Sequence, residues 1–157
     1  MNTADLIDDH ADALSLVHLP FRRFGRAGFC AGPVQTVSCF EDNALLRAEL
    51  ETAGHGRVLV VDGGGATRVA LVGDMLAGLA IANGWAGLIL NAAIRDSAEI
   101  DTMDTAVFAL GTSPVKSSKH ARGAVGGPVR FGGVTFHPGD WAYADADGVL
   151  HCTRQLI

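Results

Sequence analysis

Lysine is scarce: Lys116 and Lys119 are the only two in 157 residues, and both lie in the polar stretch SPVKSSKHARG. A Schiff-base enzyme needs a desolvated amine of lowered pKa, and such a stretch offers little desolvation. The three cysteines, Cys30, Cys39 and Cys152, are odd in number and lack metal-site spacing. They read as reduced, buried thiols. The six histidines are scattered, so no zinc pattern forms. No apolar run reaches the ~18 residues of a spanning helix. The longest candidate, Val69 to Leu90, is broken by Asp74, Asn83 and several glycines. The acidic start MNTADLIDDHAD lacks the basic region and apolar core of a signal peptide, so a cytoplasmic protein is expected. Basic residues are in the minority, 12 against 17 acidic, for a net charge of −5. A global field that attracts nucleic acid is therefore absent, and no direct nucleic-acid partner is expected.

What is present is ample core material: 48% hydrophobic residues, 18% charged and a mean hydropathy of +0.25. That excludes a disordered or collagen-like chain, and the length suits a single domain spanning 1–157. Thr3 to Leu14 has helical spacing, with Thr3 or Asp5 as candidate caps. Val34 to Val37 alternates as a strand, and Asp42 to Ala53 reads as a helix after an Asp cap. Arg57 to Asp62 is a mostly β-branched run, the mark of a buried strand, ending in the turn Gly63-Gly64-Gly65. Val69 to Val72 is short and apolar, Asp74 to Asn83 reads as a helix closed by Gly84, and Gly87 to Leu90 is another buried strand. Asn91 to Asp96 is expected to be a turn, Ala98 to Met103 a short helix, Ala106 to Leu110 a strand, and Ser113 to Gly127 an exposed loop. Val129 to Leu150 alternates β-runs with turns at Gly132-Gly133, Pro138-Gly139 and Asp147-Gly148. The pattern predicts an α/β fold, a mixed sheet with flanking helices.

Three places carry candidate chemistry. Val60 to Gly65 (VVDGGG) runs from strand into glycines, but it lacks both dinucleotide and P-loop spacing. A tight turn with positive φ is the favoured reading, and a methyltransferase reading rests on this stretch alone. Gly73-Asp74-Met75-Leu76 opens a helix, whose free N–H groups and partial positive charge suit a small carboxylate. The plainer alternative is that Asp74 merely caps the helix, worth about 1 kcal/mol. Ile94-Arg95-Asp96 follows a strand, where Arg offers a fork for a carboxylate and Asp a hard oxygen for a divalent cation. The alternative there is a surface ion pair or a helix cap, worth under about 1 kcal/mol. Twenty residues separate Asp74 from Arg95, and if the strands before them are adjacent both junctions share one rim.

That spacing, with VLVVDGGG upstream, GDMLAGLAIANGWAGLILNAAIRD across the middle and FGGVTFHPGDWAYADADGVL near the end, resembles the RraA-like family. The family includes class II 4-hydroxy-4-methyl-2-oxoglutarate aldolases and regulators of ribonuclease E activity. The resemblance implies a swivelling β/β/α fold assembled as a homotrimer or a dimer of trimers, with active sites near subunit boundaries. It places substrate contacts at Gly73, Asp74, Met75, Leu76 and Arg95, and Mg²⁺ or Mn²⁺ at Asp96. Regulators in the family that are not aldolases can lack that Asp, so its presence favours catalysis over a purely regulatory ring docked on ribonuclease E. The family commonly has a glycine and a small residue before its Arg-Asp; here Ala92-Ala93 stands, an added methyl expected to narrow the pocket.

The implied activity is a metal-dependent lyase. It would cleave 4-hydroxy-4-methyl-2-oxoglutarate to pyruvate and decarboxylate oxaloacetate through a pyruvate enolate. Arg95 fixes substrate and neutralises developing charge, and Asp74 is the candidate to position or deprotonate a water. His120 and His137 are weighed as proton carriers against ordinary surface residues. Arg22, Arg23 and Arg26, flanked by Phe21 and Phe24, form a small basic cluster that reads as a solvated face.

Overall fold

The β-branched runs and glycine turns fall where a curled mixed sheet needs them, in a computed structural model that describes all residues from Met1 to Ile157. The first third holds α1 (Thr3–His10), a 3₁₀ turn at Ala11–Ala13, β1 (Ser15–Leu16), β2 (Arg22–Phe24) and the long β3 (Phe29–Ser38). Next come α2 (Ala44–Leu50), β4 (Val58–Asp62), β5 (Ala70–Val72), α3 (Asp74–Ala82), β6 (Gly87–Asn91) and β7 (Ala93–Ile94). α4 (Ser97–Asp101), β8 (Val107–Ala109), β9 (Gly111–Thr112) and β10 (Ala124–Val125) follow. Two hairpins close the chain, β11 (Val129–Phe131) with β12 (Val134–Phe136), and β13 (Trp141–Asp145) with β14 (Gly148–Cys152).

The main sheet runs β1-β14-β13-β3-β4-β6-β8-β2, with β10 added to β3. Its centre, β3-β4-β6-β8, is parallel, and its flanks are antiparallel. The fully buried run Val58 to Val61 sits in that centre because both faces of the sheet are covered. Leu59 and Val61 face a cluster with Leu46 and Leu50 of α2 and Leu76, Ala77 and Ala80 of α3. Val58 and Val60 face the other way, onto Ile89, Phe108 and the hairpin residues Val129, Phe131, Val134 and Phe136. Each such side chain contributes roughly 1.5–3 kcal/mol by leaving water. The architecture is the expected α/β one, a mixed sheet with few flanking helices.

Several local expectations change. The N-cap of α1 is Asn2, which accepts from the Asp5 amide at 2.8 Å, while Thr3 turns away to Asp145. Asn91 to Asp96 is not only a turn. It contains β7, the centre of a separate three-stranded parallel sheet, β5-β7-β9. Ser113 to Gly127 is largely exposed yet not free: β10 pairs with β3, and Ser113 and Ser117 are buried. The periodicity rules missed these pairings because strands of two residues carry no readable alternation.

Candidate active site

The small sheet β5-β7-β9 builds the site. β5 and β7 lie side by side and parallel, with Val72 opposite Ile94, so the residues that follow each strand emerge together. The Arg95 amide donates to the Val72 carbonyl at 2.9 Å, which fixes the register. Sequence reasoning placed the relevant strand at Gly87 to Leu90; the strand that delivers Arg95 is β7 instead. The shared rim nonetheless forms as expected.

Gly73 is the N-cap of α3, in extended backbone, and Asp74 is its first helical residue. Asp74 makes no side-chain cap. The cap comes from across the rim, where Asp96 Oδ2 accepts the Asp74 amide at 3.1 Å. The same oxygen lies 3.9 Å from Arg95 Nε, with both side chains about one-third exposed. Asp96 reaches this position through a left-handed backbone, φ 55° and ψ 38°, which Asp adopts more readily than most residues. Glycine at 73 is a steric requirement, since a Cβ there would lie 2.7 Å from Asp96 Oδ2. The amides of Met75 and Leu76 belong to the first turn, where an α-helix leaves N–H groups without intrahelical acceptors.

These groups open onto a cavity of about 200 Å³ that takes in Gly73, Asp74, Met75, Leu76, Arg95 and Asp96 together. The structure thus brings together every residue singled out for substrate or metal. It also adds residues that the motifs did not indicate: Asn43 and Arg47 from the α2 end, and Lys116, Ser117 and Lys119 from the polar segment. Four cationic side chains therefore face two carboxylates, a field that favours an anionic occupant. Both lysines stay exposed, so desolvation does not prepare either for a Schiff base. The clue to their place was that the two only lysines share one short stretch.

No three His, Cys, Asp or Glu side chains converge as a metal cage. A hard cation such as Mg²⁺ needs no cage, because it keeps waters and takes one or two carboxylates plus substrate oxygens. Asp96 fits that role, since Oδ2 is engaged by the Asp74 amide while Oδ1 makes no hydrogen bond within the chain. The added methyls do not narrow the cavity. Ala92 and Ala93 are fully buried, and Ala92 packs toward Gly63, outside the cavity lining. His120 and His137 do not reach the cavity either; His137 stands 3.6 Å from Asp140.

The VVDGGG stretch is a packed turn. Gly64 and Gly65 take φ of 69° and 76°, the Gly64 amide donates to Asp62 at 2.9 Å, and a Cβ on Gly63 would meet Ala92 at 2.7 Å. Nearby, burial and the Asp42 and Asp62 charges push the Cys39 thiol up to about 12, which leaves it inert. The basic cluster is a surface feature, with Arg22 lying 5.1 Å over the Phe24 ring. No helix is long and apolar enough to cross a membrane.

Comparison with known proteins identifies the family and the fold. A protein of Aromatoleum aromaticum named "Putative 4-hydroxy-4-methyl-2-oxoglutarate aldolase" is 52% identical over 155 residues, 99% of this chain and 98% of the relative. One of the same name in Alkalilimnicola ehrlichii is 48% identical over 99% of this chain and 96% of the relative. Among solved structures, one titled S-adenosylmethionine:2-dimethylmenaquinone methyltransferase, from Geobacillus kaustophilus, superposes with a TM-score of 0.97 at 51% identity, covering 99% of this chain and 97% of that one. The RNA-processing inhibitor RraA of Thermus thermophilus gives 0.94 at 39% identity, covering 100% and 95%. The RraA-like family model, described as Aldolase/RraA, matches residues 3–151. The names differ while the fold and the sequence agree along nearly the whole length, and on that agreement the chain belongs to the RraA-like family.

Proposed function

We propose that this protein is a divalent-metal-dependent lyase for small 2-oxo acids. It would cleave 4-hydroxy-4-methyl-2-oxoglutarate to two pyruvates and decarboxylate oxaloacetate. The observation that carries the reading is the convergence of Arg95, Asp96 and the start of α3 on one small cationic cavity. Cleavage beside a 2-oxo acid leaves an enolate, and this cavity supplies donors for its charge and for the carboxylate beside it.

The chain's own residues divide the work. Met75 and Leu76 amides receive the substrate carboxylate at the positive end of α3. Arg95, which makes no side-chain hydrogen bond to the rest of the chain, has its planar fork free to hold the 2-oxo group and neutralise charge at that oxygen. Asp96 would hold Mg²⁺ or Mn²⁺, which when bound supplies a Lewis acid for the 2-oxo oxygen. Asp74, free of a capping role, is placed to hold a water that takes and returns a proton. Lys116, Lys119 and Arg47 give the cavity the charge to meet a second carboxylate, which both substrates possess. The reading includes one functional unit over 1–157, acting in the cytoplasm as a homotrimer or dimer of trimers.

A methyltransferase reading has little support in the geometry. The glycine turn on which it rests lacks dinucleotide spacing, packs Gly63 against Ala92 and spends the Gly64 amide on Asp62, so those groups are not free for a cofactor. The likeness to an RNA-processing inhibitor favours a second reading, a ring that binds ribonuclease E without turnover. The deciding experiment is pyruvate release from both substrates with Mg²⁺, with EDTA, and in Arg95→Ala. Turnover that EDTA and the substitution abolish supports the lyase. A folded, metal-loaded protein with no turnover above background overturns it in favour of the binding role.

A further inference from the structure

The segment that brings Lys116 and Lys119 to the cavity has no helix or strand between Thr112 and Ala124. What fixes it is an elbow, Glu41-Asp42-Asn43, between β3 and α2. Glu41 turns the chain with a φ of 54°, and its carbonyl accepts the Ser118 amide at 2.9 Å and the Ser118 hydroxyl at 3.1 Å. The Asn43 amide returns a bond to the Ser118 carbonyl at 3.1 Å. Between them Asp42 is wholly buried. Its Oδ1 accepts the Ala44 amide at 3.1 Å, and its Oδ2 accepts the Ser118 hydroxyl at 2.9 Å and the His120 amide.

Two features set Asp42 apart from an ordinary cap. Two of its three donors come from Ser118 and His120, 76 and 78 positions along the chain, and none of the three is a cation. A buried charge without a counter-ion persists only where hydrogen bonds satisfy it, and bonds to a carboxylate are about twice as strong as neutral ones. An amide in its place would turn N–H donors toward backbone N–H groups. On the other side of the lysine stretch, the Ala70 amide donates to the Val115 carbonyl at 2.8 Å. The segment is thus pinned at Val115 and again at Ser118 and His120, and the cavity-lining Lys116, Ser117 and Lys119 lie within those pins.

We propose that Asp42, which does not itself line the cavity, is a positioning residue. By tying down residues 118–120 it holds Lys116 and Lys119 at the cavity wall and sets the affinity for a second carboxylate on the substrate. This rests on the 2-oxo-acid reading of the cavity. Hydrogen bonding to Asp42 outweighs the upward push of its burial and holds its carboxyl below the usual range, so the charge that does the tying is present at neutral pH.

The test uses full-length Asp42→Asn, with Ser118→Ala as a milder variant that leaves the carboxylate in place. Amide hydrogen exchange reads residues 115–122 without reference to activity. Faster exchange there by tenfold or more, with α3 unchanged, is expected. KM for oxaloacetate should rise about tenfold with kcat within about threefold, and the rise should vanish in a Lys116→Ala/Lys119→Ala background. Calorimetric affinity for 2-oxoglutarate, a stable dicarboxylate, should fall in parallel. Unchanged exchange, an equal KM rise in the lysine-less background, or a loss confined to kcat would overturn the proposal. If Asp42→Asn does not fold, the same outcomes in Ser118→Ala decide it. Wild-type binding of 2-oxoglutarate without turnover would overturn only the lyase reading; neither binding nor turnover would overturn both.

Discussion

Gly73→Ala isolates the geometry of the site from the chemistry of its side chains. The backbone there, φ −121° and ψ −166°, suits any residue, so the substitution brings no conformational penalty. Removing a glycine where Ala fits would add about 0.4–1 kcal/mol of stability through the unfolded chain. The new methyl, however, would stand 2.7 Å from Asp96 Oδ2, 3.4 Å from Arg95 Cγ and 3.5 Å from Arg95 Nε. A methyl and an oxygen need more than 3 Å, so the Asp96 carboxylate, the start of α3 or both must give by roughly half an ångström. A displacement of about 1 Å at a reacting centre can cost about 100-fold, so kcat/KM should fall between about tenfold and 100-fold. The melting temperature should move by no more than a few degrees. Gly111→Ala, whose Cβ would meet nothing within 4 Å, is the control and should match wild type. Pyruvate release under Mg²⁺, paired with thermal denaturation, reads both quantities. A Gly73→Ala enzyme within twofold of wild type would refute the claim that Asp96 and Arg95 must sit where the structure puts them.

Asp96→Asn should lower metal-dependent turnover by more than about 100-fold with little loss of stability, because Asn also tolerates the left-handed backbone and can still accept the Asp74 amide. Asp96→Ala is the poorer test, since it also strains the backbone and removes the cap, together worth about 1–2 kcal/mol. Gly63→Ala should destabilise by about 1–3 kcal/mol in urea, because its methyl would collide with Ala92, and S-adenosylmethionine should not shift the melting temperature. Acid should unfold the protein partly through Asp140. Burial raises this carboxyl, but bonds from His151 and the His137 amide outweigh that and hold it below the ordinary range. A lowered folded pKa means stability that is present above the unfolded value of about 3.9 and lost as pH falls below it. Asp140→Asn should therefore show a flatter loss of stability below about pH 4 than wild type.

The long periodic elements were legible because one physical signal dominated each. The Val58 to Val61 run reads as a buried strand, and it is one, with Leu59 and Val61 facing one core cluster and Val58 and Val60 the other. The site was legible as three motifs but not as a geometry. Nothing in Ala92-Ala93-Ile94 announces a two-residue strand, so the sheet that delivers Arg95 beside Gly73 stayed hidden. Asp74 looked like a helix cap because Asp commonly is one, yet a neighbour 22 residues away takes the position. Long-range hydrogen bonds of this sort leave no local pattern, and the same holds for the bonds from Ser118 and His120 to Asp42.

The capping role bears on the choice between a lyase and a purely regulatory ring. An Asp after the Arg reads as the mark of catalysis, but Asp96 also closes the start of α3, a structural reason for Asp or Asn to stand there whatever the protein does. Its presence therefore discriminates less than the motif suggests. The weight moves to what a cap does not require. A cap uses one oxygen, and Asp96 has a second that makes no hydrogen bond within the chain. It needs no guanidinium, and Arg95 stands 3.9 Å from it, one-third exposed, without a side-chain hydrogen bond. Nor does it need a cavity lined by two lysines from a segment that hydrogen-bonds to Asp42. Free hydrogen-bonding groups gathered in a small cationic cavity suit an anionic occupant, which is the ground for proposing a carboxylate-bearing 2-oxo acid as substrate.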